Sequence, residues 1–331
     1  MANLEINGAA CVRSRLLLAS CEACQQICPV DAIDLDSQQP VIDPSACTTC
    51  GACAANCLEG VFLVSKPVPR PRDDSLLLLC RCHPQAAGTP ATACLHSTGL
   101  NDLARMWLSG VRHLLVATGS CDKSDAAPML WLESVVADFN RLAESRTLPG
   151  IELAIASKRD ILEWQQPFDV PDPSRRAFLR RIVAPPADEA KDTQLPPLHE
   201  FLIQGHTADP ARTLYPFSPH IDVNRCTGCD DCVKICPHDA LTLIKAENGK
   251  SLYHCASERC TGCRLCSDIC DVQAIEVQNM GHKGADILLT RFRCRACGIE
   301  PHSTGATPPE NGLCRICNQT NHHKNLFLVL E

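Results

Sequence analysis

Apolar and polar positions change rhythm several times along the chain. Residues 76–79 form an apolar run. Residues 100–109 place Leu100, Leu103, Met106 and Trp107 at helical spacing. Residues 111–117 read as a strand that ends in the turn Thr118-Gly119-Ser120. A second amphipathic helix follows over 130–142, and a further strand over 151–156. Strands alternating with helices predict an α/β domain with a parallel sheet across 76–170. The rhythm disappears on both sides of it. Pro67, Pro69 and Pro71 mark a linker over 67–75, and prolines and charges dominate 171–220, read as a second linker. Outside these lie blocks 1–66, 221–282 and 283–331. There, short apolar stretches such as 240–244 and 274–277, each a candidate strand, interrupt runs rich in cysteine.

Cysteine sets the chemistry. The 331 residues include 25 cysteines, grouped at C-x2-C spacing. Such spacing suits metal ligation rather than disulfide bridging and points to a reducing compartment, with the cytoplasm expected. Residues 1–10 lack a basic stretch leading into an apolar one, and Leu16-Leu17-Leu18 is short, so neither a cleaved leader nor a membrane span is expected. The formal net charge of −7 argues against non-specific nucleic-acid binding and suits docking on basic patches of protein partners. There is no phosphate-binding glycine loop and no trusted nucleophile–base–acid order; Asp122, His83 and His113 read as polar loop residues. No catalytic residue is assigned.

The second cysteine-rich block reads Cys226-x2-Cys229-x2-Cys232-x3-Cys236-Pro237, then Cys260-x2-Cys263-x2-Cys266-x3-Cys270. Three closely spaced thiolates can wrap three corners of one cubane from a tight loop. Gly228 and Gly262 fall where the backbone must approach the cluster and donate N–H groups to sulfur. Four spaced cysteines can also bind zinc, an alternative that the doubled pattern disfavours. The block resembles the bacterial dicluster ferredoxins, whose repeated run is C-x2-C-x2-C-x3-C-P. The resemblance implies crossed ligation. One [4Fe–4S] cluster takes Cys226, Cys229, Cys232 and Cys270, and the other takes Cys236, Cys260, Cys263 and Cys266. Cys255, outside the pattern, reads as a small buried hydrophobe.

The first block repeats the design with one departure. Cys47-x2-Cys50-x2-Cys53-x3-Cys57 has the same internal spacing as Cys260 to Cys270. The other run supplies only Cys21-x2-Cys24-x3-Cys28-Pro29, with Leu18 at the expected first ligand position. Cys11 is the available substitute, and C-x9-C-x2-C-x3-C-P resembles a variant run of proteobacterial multi-cluster ferredoxins. That implies one cluster on Cys11, Cys21, Cys24 and Cys57 and another on Cys28, Cys47, Cys50 and Cys53. The alternative is a three-ligand site with Cys11 a bystander.

Two further cysteine sets remain. Cys294-x2-Cys297 and Cys314-x2-Cys317 flank a turn-rich loop at zinc-ribbon spacing and predict a structural zinc in a small β domain. A rubredoxin-like iron is the alternative, disfavoured because Phe292 and Phe327 are the only Phe, Tyr or Trp residues of that segment. His302, His322 and His323 are not needed as ligands, since four thiolates fill the site. In the central domain, Cys80, Cys82, Cys94 and Cys121 fall at or just after strand ends, where α/β sites form. The order of elements resembles the iron–sulfur delta subunit of hydrogenases and heterodisulfide reductases, which implies a [2Fe–2S] cluster on those four. Free or buried thiols, or a thiol–disulfide role for Cys80 and Cys82, are the alternatives.

The expected fold class is therefore α+β: two ferredoxin-like dicluster modules (1–66 and 221–282) flanking a central α/β parallel-sheet domain, with a C-terminal zinc-ribbon-like segment over 283–331. The expected function is passage of single electrons between redox protein partners. A second class is a cytoplasmic maturation or accessory factor for a molybdenum oxidoreductase, and a third a redox or metal sensor. Ser174-Arg175-Arg176-Ala177-Phe178-Leu179-Arg180 resembles a twin-arginine motif placed mid-chain, without an apolar stretch after it. The layout is similar to accessory ferredoxins of formate dehydrogenase and nitrate reductase systems, which implies such an enzyme or its chaperone as partner.

Overall fold

Four parallel strands form the centre of the molecule in a computed structural model that describes residues 4–64, 70–87, 92–120, 127–166, 196–205, 212–245, 251–304 and 308–320. The strands are β5 (Ser75–Cys80), β6 (Thr92–Ala93), β7 (His113–Ala117) and β8 (Glu152–Ile155), in the order β6-β5-β7-β8. β5 is apolar throughout because both its faces are covered. Leu76, Leu78 and Cys80 pack with helices α3 (Leu100–Leu108) and α4 (Pro128–Glu144), while Leu77 and Leu79 pack with Ile161 and Trp164 of α5 (Lys158–Gln165). Helix starts are chemically marked. Ser157 and Asp160 cap α5 reciprocally (3.2 and 2.7 Å), and Asp102 accepts the Gly99 N–H before α3 at 3.0 Å.

The stretch 171–220 departs from the linker expected there. Residues 167–195 and 206–211, including the arginine motif, lie outside the described residues, but α6 (Pro197–Ile203) belongs to the central core. Leu198, Phe201 and Leu202 are buried, and Phe201 stacks on Trp107 and Phe139 with ring centroids 5.2 and 4.6 Å apart. Flanking prolines hid this one amphipathic face in the sequence.

The first cysteine-rich module pairs β1 (Leu4–Ile6) with β4 (Phe62–Val64) and β2 (Ile33–Asp34) with β3 (Val41–Ile42), around the short helices α1 (Ala23–Gln26) and α2 (Ala52–Asn56). The second pairs β9 (Leu214–Ile221) with β12 (Ile275–His282), around α7 (Asp231–Ile235) and α8 (Leu265–Asp268). It thus begins seven residues before position 221. Its remaining strands, β10 (Leu241–Lys245) and β11 (Ser251–Cys255), continue into β13 (Ile287–Arg291) and β14 (His302–Thr304) as one antiparallel sheet. The first part of 283–331 is therefore not a separate β domain. Ile287 and Leu289 turn inward while Leu288 is exposed, the period-two pattern that satisfies the open edge of β11.

Buried Arg146 joins the central domain to the second module. Its guanidinium donates to the carbonyls of Leu142, Leu202 and Leu214, at the end of α4, in α6 and at the start of β9, and lies 5.0 Å from the Tyr215 ring centroid. The first module is joined to the central domain at Gly99. A Cβ there would lie 2.3 Å from the Ala55 carbonyl oxygen, so only glycine permits the approach.

Candidate metal centres

Backbone geometry prepares each cysteine loop. In the three intact C-x2-C-x2-C runs, the residue before the second cysteine and the residue after it both have positive φ: Thr49 (53°) and Gly51 (80°), Gly228 (71°) and Asp230 (68°), Gly262 (74°) and Arg264 (62°). This double left-handed turn directs N–H groups inward. Thr49 N donates to Cys47 Sγ at 3.4 Å, and Gly228 and Gly262 donate to the sulfurs of Cys226 and Cys260, as their positions predict. A Cβ at Gly262 would fall 2.5 Å from the Phe217 ring. Gly262→Ala is therefore expected to destabilise the loaded second module by about 1–2 kcal/mol from φ alone, with the clash in addition. Chemical denaturation of the holoprotein measures this, and an unchanged midpoint would refute it.

A second repeated element follows each fourth cysteine. The residue three positions on is left-handed in every case: Asp31 (48°), Gly60 (69°), Asp239 (52°) and Gln273 (50°). The next residue returns its N–H to the cysteine sulfur. Ala32 reaches Cys28 at 3.3 Å, Ala240 reaches Cys236 at 3.3 Å, Ala274 reaches Cys270 at 3.2 Å, and Val61 makes the equivalent bond to Cys57. The sequence reading missed this element. Aspartate or glycine at three of the four positions was the available signal, since both tolerate this conformation.

Around Cys24, Cys53, Cys232 and Cys266, cysteines from two runs come together. Burial pushes the Cys24 thiol up to about 12, and the neighbours Cys21, Cys57 and Cys11 push the same way. Burial also raises Cys53 to about 12, with Cys50, Cys47 and Cys28 around it. Cys232, likewise raised to about 12 by burial, is surrounded by Cys226, Cys229 and Cys270. Cys266 is raised by burial and faces Cys260, Cys263 and Cys236. Burial thus disfavours the thiolate at Cys24, Cys53, Cys232 and Cys266, and binding of iron there would release their protons. Cys53 also acts on Cys24, and Cys232 on Cys266, so the two groups within each module are adjacent.

Cys11 sits between two 3₁₀ turns, Gly8–Ala10 and Val12–Ser14, and is 8% exposed. Leu18, in the vacated first position, is 70% exposed. Arg13 fastens the intervening loop by donating to the carbonyls of Ala19, Cys21 and Leu35 at 3.2 to 3.4 Å. Cys255 is fully buried and donates to the Ala285 carbonyl.

In the central domain, Cys80 ends β5 and Cys94 follows β6. Burial raises the Cys94 thiol to about 11, with Cys50 and Cys80 in its electrostatic field. A Cβ on Gly119 would lie 2.3 Å from the Cys82 carbonyl carbon, so the turn through Gly119 and the Cys82 loop pack backbone to backbone. Cys82 is exposed, and Cys121 lies outside the described residues. Arg81 donates to the Thr49 carbonyl at 3.2 Å and hydroxyl at 3.0 Å and also to the Thr48 carbonyl, binding this edge to the Cys47–Cys50 loop.

The sulfurs of Cys294, Cys297, Cys314 and Cys317 all lie within 4.8 Å of one another. Tetrahedral zinc with thiolates at about 2.3 Å separates them by about 3.8 Å, and Cys297 and Cys314 are 3.8 Å apart. N–H bonds from Cys297 and Cys314 hold the Cys294 thiol down at about 5, ready to ligate. His302 is committed elsewhere. Its Nε2 donates to Asp230 at 2.9 Å, and the Tyr253 hydroxyl donates to the same oxygen at 2.6 Å. His322 and His323 lie outside the described residues.

Comparison with known proteins agrees with the two modules. Residues 219–277 and 19–61 each match a family described as a 4Fe-4S dicluster domain. The second match begins after Cys11 and contains the other seven cysteines of its module. Over 70 residues, 19% of this chain and 46% of the relative, the sequence is 37% identical to an uncharacterized ferredoxin of Methanocaldococcus jannaschii. Over 35 residues, 11% of this chain and 45% of the relative, it is 49% identical to a ferredoxin 7Fe of Hydrogenibacillus schlegelii. The chain spans less than half the length of these curated relatives. No helix among the described residues is long and apolar enough to cross a membrane. Two paired-run cysteine modules, each matched on its own, give the chain two 4Fe–4S dicluster domains, the iron–sulfur electron-transfer units of ferredoxins.

Proposed function

We propose that the chain is a multi-cluster electron carrier that passes single electrons between protein partners in the cytoplasm. The observation that supports this best is that Cys24, Cys53, Cys232 and Cys266 each have cysteines of a second run beside them. In this reading one [4Fe–4S] cluster is held by Cys11, Cys21, Cys24 and Cys57, and a second by Cys28, Cys47, Cys50 and Cys53. A third is held by Cys226, Cys229, Cys232 and Cys270, and a fourth by Cys236, Cys260, Cys263 and Cys266. The clusters supply the redox change. The chain's own groups, chiefly the N–H donors of Gly228, Gly262, Ala32, Ala240 and Ala274, tune the potential through sulfur. Cys294, Cys297, Cys314 and Cys317 hold a structural zinc.

A [2Fe–2S] cluster on Cys80, Cys82, Cys94 and Cys121 extends the reading, as in the delta subunit that the central domain resembles. The meeting of Cys80 with Cys94 and of Gly119 with Cys82 at the carboxyl edge of the parallel sheet favours it. The partner this layout suggests is a molybdenum oxidoreductase or its chaperone, as for the accessory ferredoxins of formate dehydrogenase and nitrate reductase systems. Anaerobic purification followed by metal analysis and EPR tests the proposal. About sixteen irons, or about eighteen with the central cluster, and about one zinc per chain are expected. Fewer than about twelve irons after full reconstitution overturns the four-cluster reading.

A further inference from the structure

We infer that the contact between the two dicluster modules is an electron-transfer junction, so that the four cysteine groups form one continuous line instead of two separate pairs. The inference rests on the cluster reading above and adds the order: the Cys53 group, the Cys24 group, the Cys266 group, then the Cys232 group. Three observations carry it. First, the thiols nearest the contact come from the Cys24 and Cys266 groups. Cys21 and Cys263 pack against one apolar cluster formed by Val12, Ala19 and Leu265, with Leu16 and Ile235 at its margin. Leu265 is fully buried there, so side chains pack between Cys21 and Cys263.

Second, polar latches close the contact on either side of this patch. The Ser20 N–H and hydroxyl both donate to the Asp268 carboxylate at 2.8 Å. The Glu59 carboxylate accepts from His238 Nε2 at 2.9 Å and from the Thr261 hydroxyl at 2.6 Å. Third, every latch residue adjoins a cysteine of the two facing groups. Ser20 precedes Cys21, Glu59 follows Cys57 by two, His238 follows Cys236 by two, Thr261 follows Cys260, and Asp268 follows Cys266 by two. Contacts so placed fix the two groups relative to each other rather than merely tethering the modules. The step across the junction is balanced by itself. With cubanes held by the two facing groups, an electron crossing would oxidise the one on Cys21 and Cys24 by one and reduce the one on Cys263 and Cys266 by one, with no bond made or broken. The far ends of the line then differ. The Cys53 group faces the central domain through Arg81 and Cys94. The Cys232 group faces the terminal knuckles through Arg315, which pairs with Asp231 and Asp271.

The test uses the full, reconstituted chain. In hydrogen exchange, the Ser20 amide is expected to be protected, and Asp268→Ala is expected to speed its exchange about tenfold or more with iron content unchanged. In EPR of the fully reduced protein, Leu265→Glu is expected to remove part of the spin–spin broadening, leaving the pattern of two isolated pairs. Free exchange of Ser20 in wild-type protein carrying its full iron overturns the junction. So does a Leu265→Glu spectrum superimposable on wild type at full iron content. An iron shortfall in the wild-type protein instead overturns the cluster reading beneath it.

Discussion

Replacing Cys11 by serine is expected to convert or remove one of four clusters and leave three intact, lowering iron by about one to four atoms from about sixteen per chain. The reason lies in how the first run is built. The other three runs bring three cysteines to a cubane through the double left-handed turn, and the first run lacks it. Glu22, which follows Cys21, has φ −127° and opens α1 without that turn. A ligand brought from ten residues upstream needs no such turn, because the 3₁₀ turns on either side of Cys11 and the three Arg13 bonds deliver the thiol from another direction. Serine occupies nearly the same volume, so the fold of residues 4–64 is expected to survive. Iron analysis and EPR check this. Full iron with an unchanged spectrum would make Cys11 a bystander.

The second large effect is at the terminal knuckles. Cys314→Ser, or removal of the metal by a chelator, is expected to release the zinc and the order of residues 292–301 and 308–320. Apparent binding free energy at such sites is about 10–16 kcal/mol, and the knuckles have little apolar core of their own. Its buried residues are chiefly the ligands themselves, with Ala296 and Leu313 beside them. Zinc content should fall from about one to near zero, and proteolysis should cut between Phe292 and Asn318. β14 would keep its pairing with β13 but lose support at its flanks, which weakens the His302 bond to Asp230 and the Thr304 hydroxyl bond to the Cys226 carbonyl at 2.7 Å. A perturbed EPR signal from the Cys232 group is the expected secondary readout. Full zinc and intact proteolytic resistance in Cys314→Ser would refute the assignment of that ligand.

The cysteine runs were legible because ligand spacing is a local property: a cubane dictates how far apart three thiols fall along one loop. The central strands were legible because β5 is covered on both faces and so is apolar throughout. The helix Pro197–Ile203 was not, since three buried residues among prolines make too short a period to register. Nor was the contact between modules. Ser20, Glu59, His238 and Asp268 are ordinary polar residues, and only the fold reveals that they meet across more than 170 residues of chain. The pairing of β11 with β13 was equally hidden, because Ile287-Leu288-Leu289 reads the same for a free hairpin as for an added strand.

The left-handed residues have a consequence for how the protein is made. Thr49, Arg264 and Gln273 hold positive φ without being glycine or aspartate, a conformation that costs free energy unless the surroundings hold it. Bound cubanes would supply such surroundings and so couple cluster loading to closure of the loops. Residues 4–64 contain every cysteine of the first module, so its two sites can be completed while the rest of the chain is still on the ribosome. Leu265 and Asp268, which dock the second module on it, emerge about two hundred residues later. A loaded first module would then already present Ser20 and Glu59 to the second as it forms.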